Sequence, residues 1–561
     1  MLVYGDHQEE VSAPDFARTI VRDLNRLNSQ QAGLAWHQAC VTLFIDLASL
    51  VQGVADRECE HLGHDDLTPA QDALMKMLRI LAASMDVSWR SGFEHRVPPD
   101  PATILGLADL SLPPSVTLKR CEGYAFYGLY PETYLDAARD LPSNCIVIGL
   151  RSIGTGLAAL VAAAAGAETL FTLRPSGAPF SRSVQVGRRL TRFVQASAHQ
   201  HFVIVDEGPG LSGSSFGGVA DWLESLGVAR SRIIFMPSHP GDLGPQAADE
   251  HRLRWAGADR RVLTFEQLFT SPTARVPLHS WFRDITGKLN EAPEDRSGGG
   301  WARDRAGVPT SPFREARKFL LEGSEGKFIA KFAGLDAAAQ AKFGRAKALH
   351  EAGFCAEPLA MRYGFIIERY VDGAPTKEVP TSLLSDYCTF RTNRFPARQQ
   401  GSTLRDLLRM AEYNIREAAP DIDHDFSGRW HEDRVAALQA VVEPVHIDGR
   451  LQWWEWLRAD GRILKTDAVD HSQGHDLVGC QDILWDVAGA TIELGAADDG
   501  GDDLASAFIA GSPRRRELLQ LMKLCYLGFQ LGWWSMCSTA QAWARRQYYC
   551  GKIEPLLATC A

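Results

Sequence analysis

At 561 residues, with 45% hydrophobic and 23% charged side chains, the chain is too long for one core and has an ordinary globular composition, so two or three domains are expected. A net charge of -10 and a pI near 5.9 provide no uniform positive field for nucleic acid or an anionic membrane, and any phosphate binding has to be local. The longest apolar runs, Gly156–Gly166 and Leu527–Trp534, fall short of the roughly twenty residues that cross a bilayer, and the N-terminus MLVYGDHQEEV carries acids where a signal peptide is basic and then apolar. The expectation is a cytoplasmic protein with neither a nucleic acid nor a membrane as partner.

Residues 12–96 are poor in glycine and repeat apolar positions at three and four, as in LAWHQACVTLFIDLASLVQGVAD and QDALMKMLRILAASM, the periodicity of amphipathic helices. A helical module over 1–97 is expected, packed on the following domain or forming a homo-oligomer contact. Its HLGHDD stretch, with His61, His64 and Asp65, has no second half at zinc-ligand spacing and reads, like His37, as ordinary structure. Eleven cysteines run from Cys40 to Cys560 with no CxxC pair and read as reduced, mostly buried thiols. Pro98, Pro99 and Pro101 break the helical pattern and mark a boundary.

From about residue 115, short β-branched runs alternate with helical stretches: NCIVIGL, GTGLAALVAAAAG, ETLFTLRP, HFVIVDEG, FGGVADWLESLG and SRIIFMPS. That alternation predicts a parallel sheet covered on both faces over 98–290, with binding loops after the C-terminal ends of its strands. One such loop is VIVDEGPGLSGSSF. A buried triplet, Val203–Val205, ends in Asp206 and Glu207, whose carboxylates can accept hydrogen bonds from a ribose diol. The Gly and Ser residues that follow, Ser212, Gly213, Ser214 and Ser215, stand where a helix N-terminus can close around a phosphate. An ordinary helix cap beside a solvated strand end uses the same residue types, but the acid pair and the strand-helix alternation favour a phosphoribosyl site.

The order apolar triplet, acid pair, short loop, Ser-Gly-Ser resembles the signature of type I phosphoribosyltransferases, lengthened by one loop residue within Gly208-Pro209-Gly210. The resemblance implies that Asp206 and Glu207 bind ribose and that Ser212, Gly213, Ser214 and Ser215 bind the 5′-phosphate of phosphoribosyl pyrophosphate or of a ribosylated small molecule. It also implies that Arg151, in GLRSIGTGLAAL, contacts the pyrophosphate, joined by Arg174 and Arg182 of TLRPSGAPFSR and by Mg²⁺.

Residues 291–312, rich in Gly, Pro and charge, read as an exposed linker. Beyond it, FIAK ends at Lys331, GFIIERYVDGAP spans Gly364–Pro375, VHIDGRLQWWEWL carries His446 and Asp448, KTDAVDH carries Asp467, and GCQDILWDVAGA carries Asp482 and Asp486. This set is similar, more loosely, to the aminoglycoside phosphotransferase and small-molecule kinase superfamily, which implies a bilobal kinase-like domain over 313–561. In that likeness Lys331 binds the ATP phosphates, Asp448 orients or deprotonates a substrate hydroxyl, and Asp467 holds Mg²⁺. The asparagine expected five residues after Asp448 is Trp453, which leaves Gln452 as the substitute metal ligand. The helical run after Lys331 offers no glutamate before Glu351 to pair with that lysine, and EGSEGK is the stretch available to cover phosphates. His350, His475 and the Trp453-Trp454 and Trp533-Trp534 pairs read as packing.

The expected fold class is thus multi-domain, α/β and α+β: a helical N-terminal module, a parallel-sheet phosphoribosyltransferase-like domain and a bilobal kinase-like domain. The expected function is bifunctional, phosphoribosyl transfer in one half and ATP-dependent phosphorylation of a small-molecule hydroxyl in the other, with ATP and Mg²⁺ as cofactors. The alternative is a ligand-sensing or regulatory scaffold whose transferase or kinase fold no longer turns over.

Overall fold

The computed structural model describes residues 8–559 except 101–105, 108–109, 211, 304, 306, 313–314, 421–425, 473, 475–476, 496–503 and 510. Pro101, His475 and Cys560 lie outside these residues. The first described element is a strand, β1 (Gln8–Ser12), which pairs antiparallel with β2 (Ser115–Lys119). The N-terminal segment is therefore not purely helical, because a strand from beyond the proline-rich break closes it. Between the two strands run the helices Ala13–Asn28, Leu34–Leu62 and Pro69–Arg90. Ser12 and Thr68 start two of them by accepting hydrogen bonds from the amides of Asp15 and Gln71. Leu34–Leu62 is apolar enough over its length to cross a membrane, which the apolar runs read from the sequence did not suggest; 72% of its most apolar window is buried within the fold.

The next strands are β3 (Ile146–Leu150), β4 (Thr169–Leu173), the short hairpin β5 (Ser176–Ala178) and β6 (Ser181–Ser183), β7 (Phe202–Val205), β8 (Ile233–Met236) and β9 (Asp259–Arg260). Five of them form a parallel sheet in the order β4-β3-β7-β8-β9. Alternate side chains bury on opposite faces, as the two-residue period of a strand demands: Val147, Val203 and Val205 pack toward the N-terminal helices, and Ile148, Ile204 and Phe235 toward the other layer. The chain leaves β3 in one direction toward β4 and returns to its other side at β7. The crevice between the C-terminal ends of β3 and β7 is thus a topological switch point, where ligands of such sheets bind.

An antiparallel sheet follows, ordered β10-β11-β12-β14-β13, from β10 (Glu294–Asp295), β11 (Lys318–Gly323), β12 (Gly326–Phe332), β13 (Pro358–Arg362) and β14 (Phe365–Arg369). Within 291–312, the stretch read as an exposed linker, β10 is the edge strand of this sheet, paired with Phe319 and Leu320. The remainder is largely helical, and its core gathers around Pro513–Ser535, Leu404–Ala418 and Leu484–Leu494.

The expected boundaries at 97 and 290 do not separate independent cores. One hydrophobic cluster joins Trp36, Phe44 and Trp89 of the N-terminal helices, Tyr130 and Leu157 of the parallel-sheet unit, and Phe319, Phe332 and Phe365 of the antiparallel sheet. At its centre the buried His37, Glu132 and Tyr363, one from each part, hydrogen-bond to one another. The ten cysteines among the described residues are all free, six of them buried.

Candidate functional site

At the switch point the loop after β3 and the loop after β7 touch: a Cβ added to Gly154 would stand 2.7 Å from the Val205 carbonyl and 3.5 Å from Asp206 Oδ1. Asp206 is half-buried, and burial pushes its carboxyl up to about 7 despite the cations Arg174 and Arg182 nearby. The Glu207 carboxylate lies against Gly123, where a Cβ would meet Oε1 at 2.7 Å. Gly213, at φ +62° and pressed on Leu243, turns the chain into the helix Ser214–Ser225, a turn that a side chain would block twice over.

Ser212, Gly213, Ser214 and Ser215 thus sit together at a helix N-terminus beside the acid pair. The β5–β6 hairpin lies across them. Ser214 Oγ donates to the Pro179 carbonyl at 2.9 Å, Ser212 Oγ donates to the same oxygen at 3.3 Å, and Arg182 reaches Ser215 Oγ at 3.5 Å.

The arginines need a correction. Arg151 is 5% exposed and its guanidinium is engaged by Asp56, by Asp65 and by Thr172 Oγ1 at 3.1 Å. Arg174 likewise bonds Asp56, while its amide donates to Asp65 Oδ2 at 2.7 Å. A buried guanidinium needs paired carboxylates, and the N-terminal helices supply them. Arg151 therefore fastens those helices to the sheet instead of presenting a cation to pyrophosphate. Asp65 and Asp66 of HLGHDD serve the same docking, Asp66 by accepting from the Leu190 amide at 2.8 Å. Arg182 alone of the three is exposed.

In the C-terminal half, Lys331 Nζ lies 3.0 Å from Glu368 Oε2 and 3.1 Å from Asp467 Oδ1. Glu368 is the partner that no glutamate in the helix Ala337–Glu351 could provide. It comes from β14, where it pairs with Ile329, two residues before Lys331 and on the same face of the sheet. Lys318, directly opposite Lys331 on β11, bonds the other oxygen of Asp467. Burial alone would raise the Asp467 carboxyl, but Lys318 and Lys331 outweigh it and hold it well below the usual range. Asp467 also keeps φ at +51°, a strained backbone that marks functional positions more often than others.

Asp448 is brought close to this group but is 0% exposed. Tyr387 donates its hydroxyl to Oδ2, Lys465 Nζ is 3.2 Å from Oδ1, and Arg391 is 3.8 Å away. Asp486 accepts from the amides of Asp448 and Gly449 at 2.7 and 2.8 Å and so shapes the loop that carries Asp448. Gln452, expected as a metal ligand, is buried and directs its amide to Tyr526 at 3.4 Å. It is absent from the walls of the cavities around Asp467. Glu455, missed by the sequence reading, lies in one of them; burial raises its carboxyl, Lys465 works against that, and the neighbouring Asp467 charge adds to it.

Three openings reach Asp467, and the two larger ones meet there. One, of about 100 Å³, is walled by Ile329, Lys331, Glu368–Val371, Glu455 and Leu457, between the sheet and the Trp456–Lys465 hairpin. The other, of about 370 Å³, is walled by Phe126 and Tyr127 of the parallel-sheet unit, Ser297 and Gly298, and Lys318, Arg450 and Asp467. The stretch that approaches Asp467 is therefore Ser297-Gly298. EGSEGK, expected to cover phosphates, instead makes the tight turn from β11 to β12, pairing Gly323 with Gly326.

No family model and no curated protein sequence matches the chain. Solved structures similar to part of it include choline kinase LicA from Streptococcus pneumoniae, at 13% identity and a TM-score of 0.28, covering 43% of this chain and 89% of that one. A choline/ethanolamine kinase family protein from Mesorhizobium loti matches at 16% identity and 0.29, covering 43% and 85%. An ethanolamine kinase from Plasmodium vivax matches at 10% identity and 0.28, covering 48% and 84%.

Proposed function

We propose that the C-terminal half is a phosphotransferase that moves the terminal phosphoryl group of ATP to a small-molecule hydroxyl, and that the parallel-sheet half binds a phosphoribosyl compound. The observation that carries the first part is the set Lys331, Glu368, Lys318 and Asp467 at the meeting point of two cavities. Two lysines aimed at one ionised carboxylate are what a polyphosphate and its counter-ion require, since phosphoryl transfer is driven mainly by positioning and charge neutralisation. The carboxylates Asp467 and Glu455 are hard oxygen donors of the kind that hold Mg²⁺, and a cation beside them would relieve the burial that raises Glu455. Mg²⁺ would there neutralise the phosphates of ATP. The smaller cavity, with Ile329 and Leu457 on its walls, suits a flat base.

For the parallel-sheet half, the support is the acid pair and hydroxyl loop at a switch point. Phosphoribosyl transfer there is the finer reading. Its pyrophosphate would have to be met by Arg182 and backbone amides, because Arg151 and Arg174 are committed to Asp56 and Asp65.

A second reading, a nucleotide sensor without turnover, is favoured by one observation: the Asp448 carboxylate is enclosed by Tyr387 and Lys465. ADP release from Mg²⁺-ATP, followed over a panel of hydroxyl compounds with wild type and Asp448→Asn, decides between them. Turnover lost in the variant supports the phosphotransferase; nucleotide binding equal in both proteins, with no turnover in either, establishes the sensor.

A further inference from the structure

Besides Lys318 and Asp467, the larger cavity is walled by charged groups that no step above uses. Its cations are Arg317, Lys318, Lys342 and Arg450, and its acids Glu315, Asp467 and Asp470. Most of these charges are already matched. Arg317 bonds Glu266, Lys318 bonds Asp467, Lys342 Nζ lies 3.2 Å from Asp470, and Glu315 accepts from the Trp301 indole. Arg450 is the exception. Among the described residues no carboxylate comes within 4.0 Å of its side-chain nitrogens, and its guanidinium carbon lies over Trp533, 4.4 Å from the ring centroid.

A guanidinium stacked in this way keeps its in-plane N–H donors available, the arrangement that takes a carboxylate or phosphate by two parallel hydrogen bonds. A second unmatched group faces the same space. His471 is 9% exposed, and its Nδ1 has no partner. Two of its aromatic faces, by contrast, already have cations over them: Arg450 on Trp533, and Arg120 and Lys342 at 4.7 and 5.9 Å from Phe126. An ammonium compound entering here would meet like charges and find the faces of Phe126 and Trp533 taken.

We infer that the hydroxyl substrate of this cavity is an anion, a compound bearing a phosphate or carboxylate beside the hydroxyl that is phosphorylated, with Arg450 as its recognition residue and His471 as a second hydrogen-bonding contact. The inference rests on the phosphotransferase reading, because it is the closeness of Arg450 to Asp448 and Asp467 that makes its ligand a substrate. Arg450 shares the wall of this cavity with Asp467, and its amide, two residues after Asp448, donates to Asp448 Oδ1 at 3.1 Å, so an anion on its guanidinium is held beside Asp467.

Calorimetry on the full chain with Mg²⁺ and a non-hydrolysable ATP analogue present tests this, with glycerol 3-phosphate and choline as probes and Arg450→Met as the variant. The expected result is glycerol 3-phosphate binding that Arg450→Met weakens by roughly tenfold or more, no choline binding, and analogue affinity that differs by less than about threefold between the two proteins. Glycerol 3-phosphate that fails to bind, or binds equally to both proteins, overturns the inference, as does choline binding more tightly. Analogue affinity falling as far as that of glycerol 3-phosphate also overturns it, by making Arg450 a nucleotide contact. An analogue that wild type does not bind refutes the phosphotransferase reading instead, and glycerol 3-phosphate alone then reports on Arg450.

Discussion

The ammonium of Lys331 stands 3.1 Å from the carboxylate of Asp467, although the two are 136 positions apart in the chain, and both side chains line the same cavity. Burial works against the Lys331 charge, but Glu368 and Asp467 outweigh it and hold the ammonium above its ordinary range. The ion pairs with Glu368 and Asp467 thus favour the charged form of Lys331. Replacing it with methionine keeps the packing and removes the charge. ATP-dependent turnover should fall by about 100-fold, or roughly 3 kcal/mol of transition-state stabilisation, with unchanged far-ultraviolet circular dichroism as the check that the fold survives.

Asp65 and Arg151 give a stability prediction. Asp65→Asn leaves a fully buried guanidinium with Asp56 as its remaining carboxylate, and should lower the unfolding free energy by about 3 kcal/mol. The double variant Asp65→Asn, Arg151→Met should recover much of that loss in urea titrations. A single variant within about 0.5 kcal/mol of wild type would show that Arg151 is not the fastening described.

The Asp206 carboxyl, raised by burial from 3.8 to about 7, gives a pH dependence. The folded state holds its proton more tightly than the unfolded state. The stabilisation is complete below 3.8 and is lost as pH rises through about 7. Wild type should therefore lose stability relative to Asp206→Asn between those values and level off above them. Binding of phosphoribosyl pyrophosphate should run the opposite way, strengthening as Asp206 ionises, because the carboxylate is the better acceptor for a ribose diol. In Asp206→Asn that pH dependence should be absent, which titrations at pH 6 and pH 8 would reveal.

What could be read from the sequence divides along physical lines. Four of the five parallel strands announced themselves by β-branched runs such as Val203–Val205, while the two-residue edge strand Asp259–Arg260 carries no such run, and local spacing placed Asp206, Glu207 and the serines at one helix N-terminus. Lys331, Asp448 and Asp467 were legible because each sits in a short stretch of its own. Glu368 and Lys318 were not, since what brings them to the site is strand register, a long-range property that no local pattern carries. Arg151 was misread for a related reason: its local context suits an anion, but Asp56 and Asp65 arrive from a distant helix and loop and claim it first. The stretch Ser297-Gly298 was read as part of a linker because glycine-rich composition looks the same in a loop that approaches a cavity and in one that spans solvent.

In the proposed phosphotransferase, Asp467 is the group that would tie nucleotide phosphate to metal. The most direct test is calorimetric titration of a non-hydrolysable ATP analogue into wild type and Asp467→Asn, each with Mg²⁺ and with excess chelator. The account predicts wild-type binding that tightens at least about tenfold with Mg²⁺ and an Asp467→Asn variant in which Mg²⁺ makes no difference. Binding by wild type that ignores Mg²⁺, or a variant that responds to it as wild type does, would contradict it.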